Sequence, residues 1–274
     1  MRRVARWLVG SVVAGVFVAL FAVPAPAASI QLPNTMAAAG DSITRAFDAN
    51  GSCVLRDCPQ LSWSAGTDAS VNSHYSRLVA LNPGLSGHGY SVAKTGVKMV
   101  DLAGQLRTAG YYKIDYVTVL MGANDLCTSS AATMTRTYDL AVQFYKALAY
   151  YFYYNPDGHV FVSSIPDVYQ LWSVLHTNAR AKAVWSTFRI CQSLLAASNT
   201  DADRQMVVDQ EAADNSALAY VCTTYFARCR WDNMATFNFK FPVSDVSTVD
   251  YFHPSPAGQA DLAATTWAAS YWGS

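Results

Sequence analysis

The sequence has no excess of charge of either sign: 19 lysines and arginines stand against 19 aspartates and glutamates, and charged residues make up only 14% of the 274. Such a balance gives no reason to expect a nucleic acid or an anionic membrane surface as a partner. C-x-x-C pairs and closely spaced histidine pairs are also missing, so no zinc-site pattern is present. No Pro/Gly/Ser-rich linker, internal repeat or low-complexity stretch divides the chain. The G-x-S-x-G elbow of ordinary α/β-hydrolases does not occur. Beyond the first two dozen residues, no apolar run is long enough to cross a bilayer.

At the start, Met1-Arg2-Arg3-Val4-Ala5-Arg6 precedes an apolar run over 7–23 and then Pro24-Ala25-Pro26-Ala27-Ala28. A basic head, an apolar middle and a small-residue A-x-A end predict a secretory signal over residues 1–27, with an uncleaved anchor as the competing reading. Its removal takes away Arg2, Arg3 and Arg6 and leaves 16 basic against 19 acidic residues. The remaining chain, residues 28–274, is expected to be one α/β domain, since a 52% hydrophobic content supplies a full core. Six cysteines follow the signal: Cys53, Cys58, Cys127, Cys191, Cys222 and Cys229. An even number in an exported chain predicts three disulfides, and 15 pairings are possible. Short loops favour Cys53–Cys58 and Cys222–Cys229, leaving Cys127–Cys191.

Apolar runs alternate with helical patterns. Strands are predicted over 36–39, 90–93, 116–121 and 159–163, with helices over 75–81, 99–109 and 134–154 between them. The run Tyr-Val-Thr-Val-Leu-Met over 116–121 is of the type buried inside a parallel sheet. This order predicts a parallel sheet covered by helices on both faces. Segments 171–197 and 203–226 read as a helical elaboration, 235–239 as a last strand. Ser255 and Pro256 open a final helix running through residue 267.

Three of the predicted strands end in chemically useful residues. Gly40-Asp41-Ser42 follows the first, Lys94-Thr95-Gly96 the second and Gly122-Ala123-Asn124-Asp125 the third. Taken singly, every block but the first reads better as an ordinary capped turn. Together they fall on the rim of an open parallel sheet, where ligands bind. Near the other end, Asp250-Tyr251-Phe252-His253-Pro254 places a carboxylate three residues before an imidazole. A serine hydroxyl needs an imidazole to take its proton and an acid, or a backbone carbonyl, to orient that imidazole. A glycine N–H and an asparagine amide are the donors a developing oxyanion needs.

In this order, Gly-Asp-Ser, Gly, Gly-x-Asn-Asp and Asp-x-x-His-Pro resemble the GDSL esterase/lipase family in its SGNH hydrolase branch, over essentially the whole chain from Gly40 to Pro254. One departure is that Val92-Ala93-Lys94-Thr95 lacks the asparagine usual before the family glycine. The resemblance implies a flavodoxin-like α/β/α sandwich. It also implies Ser42 as nucleophile, His253 as base, Asp250 as orienting acid, and an oxyanion hole of Ser42, Gly96 and Asn124. Neither metal nor organic cofactor is expected, and a secreted monomer acting on a small-molecule or lipid ester is the default. The secreted actinobacterial members that this chain resembles include lipases, phospholipases and esterases. Tyr169, Trp172, Trp185, Phe188, Tyr225, Phe226 and Trp231 fit an acyl groove, a platform for acetylated sugars, or plain core. Lipid-type esters lead, carbohydrate deacetylation follows, and a non-catalytic secreted binding protein is the remote rival.

Overall fold

Residues 30–273 are described by the computed structural model; the predicted signal over 1–27 lies outside them. In chain order the elements are β1 (Met36–Gly40), α1 (His74–Leu81), β2 (Gly89–Ser91), α2 (Met99–Tyr111), β3 (Tyr116–Leu120), α3 (Ala123–Leu126), α4 (Thr137–Tyr154) and β4 (His159–Val162). There follow α5 (Val168–Leu175), α6 (Ala179–Thr187), α7 (Gln192–Leu195), α8 (Asp201–Thr223), β5 (Cys229–Trp231), α9 (Ala235–Asn238) and α10 (Pro256–Ala269).

The five strands form one parallel sheet in the order β2-β1-β3-β4-β5. Every residue of β1 (MAAAG) and β3 (YVTVL) is buried, which is why both read as unbroken apolar runs. The chain leaves β1 for β2 on one side and returns through α2 to β3 on the other. Right-handed crossovers then put α2, α4 and α8 on one face and α1 on the opposite one. Accordingly α4 packs against both α2 and α8. α10 meets α1 where His74 Nε2 and Thr266 Oγ1 lie 2.9 Å apart. Burial pushes the His74 imidazole down to about 3, so it is a neutral core residue.

β1 and β3 are therefore the point where the winding reverses, and ligands bind beyond the carboxyl ends of such strands. Their pairing in register, Gly40 opposite Leu120, brings the two ends level. Three disulfides pair Cys53 with Cys58, Cys127 with Cys191 and Cys222 with Cys229. The loop-entropy relation gives about 4 kcal/mol for the 64-residue separation of Cys127–Cys191 and about 2 kcal/mol for the two short loops. The long-range link is thus the principal staple.

Two expectations from the sequence are corrected. The fifth strand is Cys229–Trp231, whereas 235–239 is the short helix α9. Asp232 explains the difference: its carboxylate accepts from Met234 N–H at 2.9 Å and from Thr236 N–H at 3.0 Å, turning the chain into a helical start. The single helix read over 171–197 is three helices. Asn178 caps α6 by accepting from the N–H groups of Arg180 and Ala181. Before α7, Arg189 and Cys191 adopt left-handed φ values of 53° and 42°.

Candidate active site

The Ser42 turn begins at Gly40. Its φ is 149°, and a side-chain carbon there would sit 2.4 Å from the Leu120 carbonyl oxygen, so only glycine fits. Gln105 of α2 holds this glycine from both sides: Oε1 accepts its N–H at 2.8 Å and Nε2 donates to its carbonyl at 2.9 Å. Gln259 of α10 holds the next step, with Nε2 donating to the Ile43 carbonyl at 2.7 Å. Its Oε1 accepts from Trp63 N–H at 2.9 Å. Asp41 is wholly buried and accepts from Ile43 N–H at 2.9 Å. The turn that carries Ser42 is thus fixed by side chains from two helices and by its own neighbour.

The histidine arrives on a loop tied down along its length. Ser247 N–H donates to the His253 carbonyl at 2.8 Å, Val246 bridges Pro254, and Trp185 Nε1 donates to the Tyr251 carbonyl at 2.9 Å. Within this turn Asp250 Oδ1 accepts from the N–H groups of Phe252 and His253 at 2.9 and 3.0 Å. Asp250 Oδ2 stands 2.5 Å from His253 Nδ1, so a carboxylate rather than a backbone carbonyl faces that nitrogen. His253 Nε2 lies 2.8 Å from Ser42 Oγ. An imidazole bracketed in this way is placed to take a hydroxyl proton and to be stabilised once charged.

Beyond β3, Gly122 has φ 129° and opens α3, whose first turn carries Asn124 and Asp125. Both reach the chain just past Gly96. Asn124 Nδ2 donates to the Val97 carbonyl at 2.9 Å, and Asp125 Oδ2 accepts from Met99 N–H at 2.8 Å. Gly96 itself has φ 80°, a left-handed value that glycine adopts without strain. Among the described residues, neither Ser42 N–H nor Gly96 N–H donates to a backbone carbonyl. Thr95 is held by Asp57 at 2.5 Å, and Asp57 is in turn paired with Arg45 at 2.9 Å. Ser42, Gly96, Asn124, Asp250 and His253 all line one cleft of about 370 Å³.

Residues 38–260 match the GDSL-like Lipase/Acylhydrolase family. The chain belongs to that family. No curated protein matches it. Among solved structures, a GDSL-like lipase from Parabacteroides merdae ATCC 43184 superposes with a TM-score of 0.53 at 13% identity, covering 86% of this chain and 94% of that one. Phospholipase A1 from Streptomyces albidoflavus NA297 gives 0.50 at 16% identity, covering 84% and 98%. The lipase Lip_vut3 from a goat rumen metagenome gives 0.53 at 14% identity, covering 86% and 97%. At these identities the likeness is one of fold. Family membership makes the chain an ester hydrolase.

The GDSL blocks were legible in the sequence, but their supports were not. Gln105 lies at helical spacing between Leu102 and Ala109, which reads as a core face, and its partner glycine is 65 residues away. Gln259 is equally silent. Several carboxyls of this GDSL-family chain are buried. Burial pushes Asp41 and Asp214 up to about 6 and Glu211 well above the carboxylate range. The folded form holds these protons to a higher pH than the unfolded chain does. For the two aspartates that stabilisation is complete below about pH 4 and is lost as pH rises through about 6, and for Glu211 it persists to higher pH. The midpoint of thermal unfolding is therefore expected to be several degrees lower at pH 8 than at pH 5. Asp214→Asn should flatten part of that slope in a calorimetric series; a Tm that rises with pH would contradict it.

Proposed function

We propose that the chain is a secreted serine hydrolase that cleaves lipid-type carboxylic esters through an acyl-enzyme on Ser42. The observation that carries the reading is the relay Asp250–His253–Ser42, with contacts of 2.5 and 2.8 Å. His253 Nε2 accepts the Ser42 proton as Oγ bonds to the ester carbonyl carbon. The oxyanion takes hydrogen bonds from the N–H groups of Ser42 and Gly96 and from Asn124 Nδ2. His253 then gives the proton to the departing alcohol oxygen as its bond to carbon breaks. Water repeats the sequence, releasing the acid and restoring Ser42.

Apolar surface around the serine supports a lipid-type substrate. On one side of His253 a pocket is walled by Ile43, Leu171, Val174, Phe241, Val246 and Phe252. On the other, the rim of the Ser42 cleft carries Val54, Leu55 and Phe188, which are 53, 70 and 63% exposed. Large apolar side chains left in water around a reactive serine suit an ester presented with hydrocarbon. The Cys53–Cys58 and Cys127–Cys191 links brace these walls, and paired cysteines suit an oxidising compartment outside the cell. An alkyl phosphonate should label Ser42 stoichiometrically. Across nitrophenyl esters, kcat/KM should rise from acetate to medium chains, with phosphatidylcholine hydrolysed and acetylated xylan left intact. A maximum at acetate with release from xylan would instead assign a carbohydrate deacetylase.

A further inference from the structure

The whole-chain balance of 19 basic against 19 acidic residues hides an uneven distribution around the Ser42 cleft. The cleft is lined from the stretches 42–55, 95–96, 124–127, 188–191 and 249–253. Acidic side chains in these stretches are turned away from solvent: Asp48, Asp125 and Asp250 are 3, 1 and 6% exposed. Asp57, just past the first stretch, is paired with Arg45 at 2.9 Å. Basic side chains on the same stretches and at their ends face water. Arg56 follows Leu55, Lys94 precedes Thr95, and Arg189 lies between Phe188 and Ile190; all three are exposed. None of them forms an ion pair among the described residues. Lys98 has an acid close by, since Asp101 accepts its backbone N–H at 3.1 Å. Around Phe188 the bias is longer: no acid occurs between Asp167 and Asp201, whereas Arg180, Lys182 and Arg189 are exposed.

The apolar part of this rim is braced. Val54 and Leu55 sit in the loop closed by Cys53–Cys58. Leu55 is left-handed, with φ 52°, and Asp48 Oδ1 accepts its N–H at 2.5 Å. Phe188 N–H donates to the Val184 carbonyl at 3.0 Å, and Cys191, three residues on, is tied to Cys127. Two anchored loops thus hold Leu55 and Phe188 in water at 70 and 63% exposure. Each has an arginine as its next residue, Arg56 and Arg189. Apolar side chains that enter the acyl boundary, beside cations that meet headgroups, are the two forces that hold a protein on anionic lipid.

We propose that the mouth of the Ser42 cleft is a docking surface for an anionic lipid–water interface. Leu55 and Phe188 enter the acyl boundary, and Arg56, Lys94 and Arg189 meet the headgroup phosphates. The proposal rests on the reading of the chain as a hydrolase of lipid-type esters, and it sets the cleft against the layer that holds them. Each basic side chain near such a surface raises partition roughly fivefold, and three together roughly a hundredfold. In 1 M salt the reach of those charges shrinks to about 3 Å.

Co-sedimentation of the intact protein with vesicles of ether-linked phosphatidylglycerol, which offer no carboxylic ester to cut, tests this. Partition should exceed that onto ether-linked phosphatidylcholine by roughly tenfold or more, and the difference should vanish in 1 M salt. Arg189→Gln and Lys94→Gln should each lower it about threefold to fivefold. Neither side chain is in an ion pair, so both variants should hydrolyse a short soluble ester within about twofold of the wild type. Phe188→Ser should lower partition about tenfold through the lost apolar contact. Hydrogen exchange locates the contact without any variant: amides of 53–58 and 186–191 should slow on the vesicles, while those of 111–114, at the opposite ends of the strands, stay unchanged. Binding that ignores salt and the charge variants, or protection elsewhere on the chain, would overturn the proposal. Self-association abolished by Phe188→Ser, without vesicle binding, would overturn it in favour of a contact between copies of the chain. No turnover enters these measurements, so phosphonate labelling of Ser42 checks the underlying reading separately.

Discussion

Ser42→Ala is expected to lower kcat for a medium-chain nitrophenyl ester by roughly four to six orders of magnitude. The loss should fall on kcat rather than KM, because alanine removes the oxygen proposed to attack and leaves the cleft walls intact. The variant should fold normally: the turn is held by Gln105 on Gly40, Gln259 on the Ile43 carbonyl and Asp41 on the Ile43 N–H, none of which uses the serine hydroxyl. His253→Ala should cost about as much, and the double variant scarcely more, since in the proposed relay the two act as one unit. A residual rate above that in water would come from the donors and from binding alone. Burst-phase kinetics check the covalent step: the wild type should release one equivalent of nitrophenol before the steady state, and the alanine variant none. Retention of even a tenth of the activity would remove Ser42 from the mechanism.

The comparison between sequence and structure follows a physical line. β1 and β3 were legible because strands buried on both faces read as continuous apolar runs. The final helix was legible because Ser255 and Pro256 mark its start, and Ser255 Oγ does accept from Gly258 N–H at 3.2 Å. The serine, glycine, asparagine and histidine blocks were legible because each sits at a strand end or tight turn, where local chemistry is written in local sequence. β5 was not, since three residues with Arg230 exposed carry no periodicity. The breaks inside 171–197 were hidden because left-handed Arg189 and Cys191 carry no glycine to announce them. Gln105 and Gln259 act on partners distant in the chain, and a lone polar residue does not name its partner. What the sequence conceals is the scaffold that holds the reactive groups.

Asn124→Ala is expected to lower kcat/KM by roughly two to three orders of magnitude, or about 3 to 4 kcal/mol of transition-state stabilisation. Two effects are folded into that figure. The amide has two N–H groups; one donates to the Val97 carbonyl, and the other is available to the oxyanion. Alanine therefore deletes a donor and also releases the segment that carries Gly96. The segment keeps a second tether, since Asp125 still accepts from Met99 N–H and from Thr135 Oγ1 at 2.7 Å. Asp125 is buried, and burial raises its carboxyl above the usual range while the Thr135 and Met99 donors pull it down. The balance can be read by experiment. If donation to the oxyanion dominates, kcat falls with KM nearly unchanged, and a tetrahedral phosphonate loses reactivity in proportion to kcat/KM. If release of the Gly96 segment dominates, KM rises, and Asp125→Asn, which leaves Asn124 in place, reproduces the defect. Full activity in Asn124→Ala would exclude the amide from the oxyanion hole and leave only the backbone donors of Ser42 and Gly96 to hold the charge.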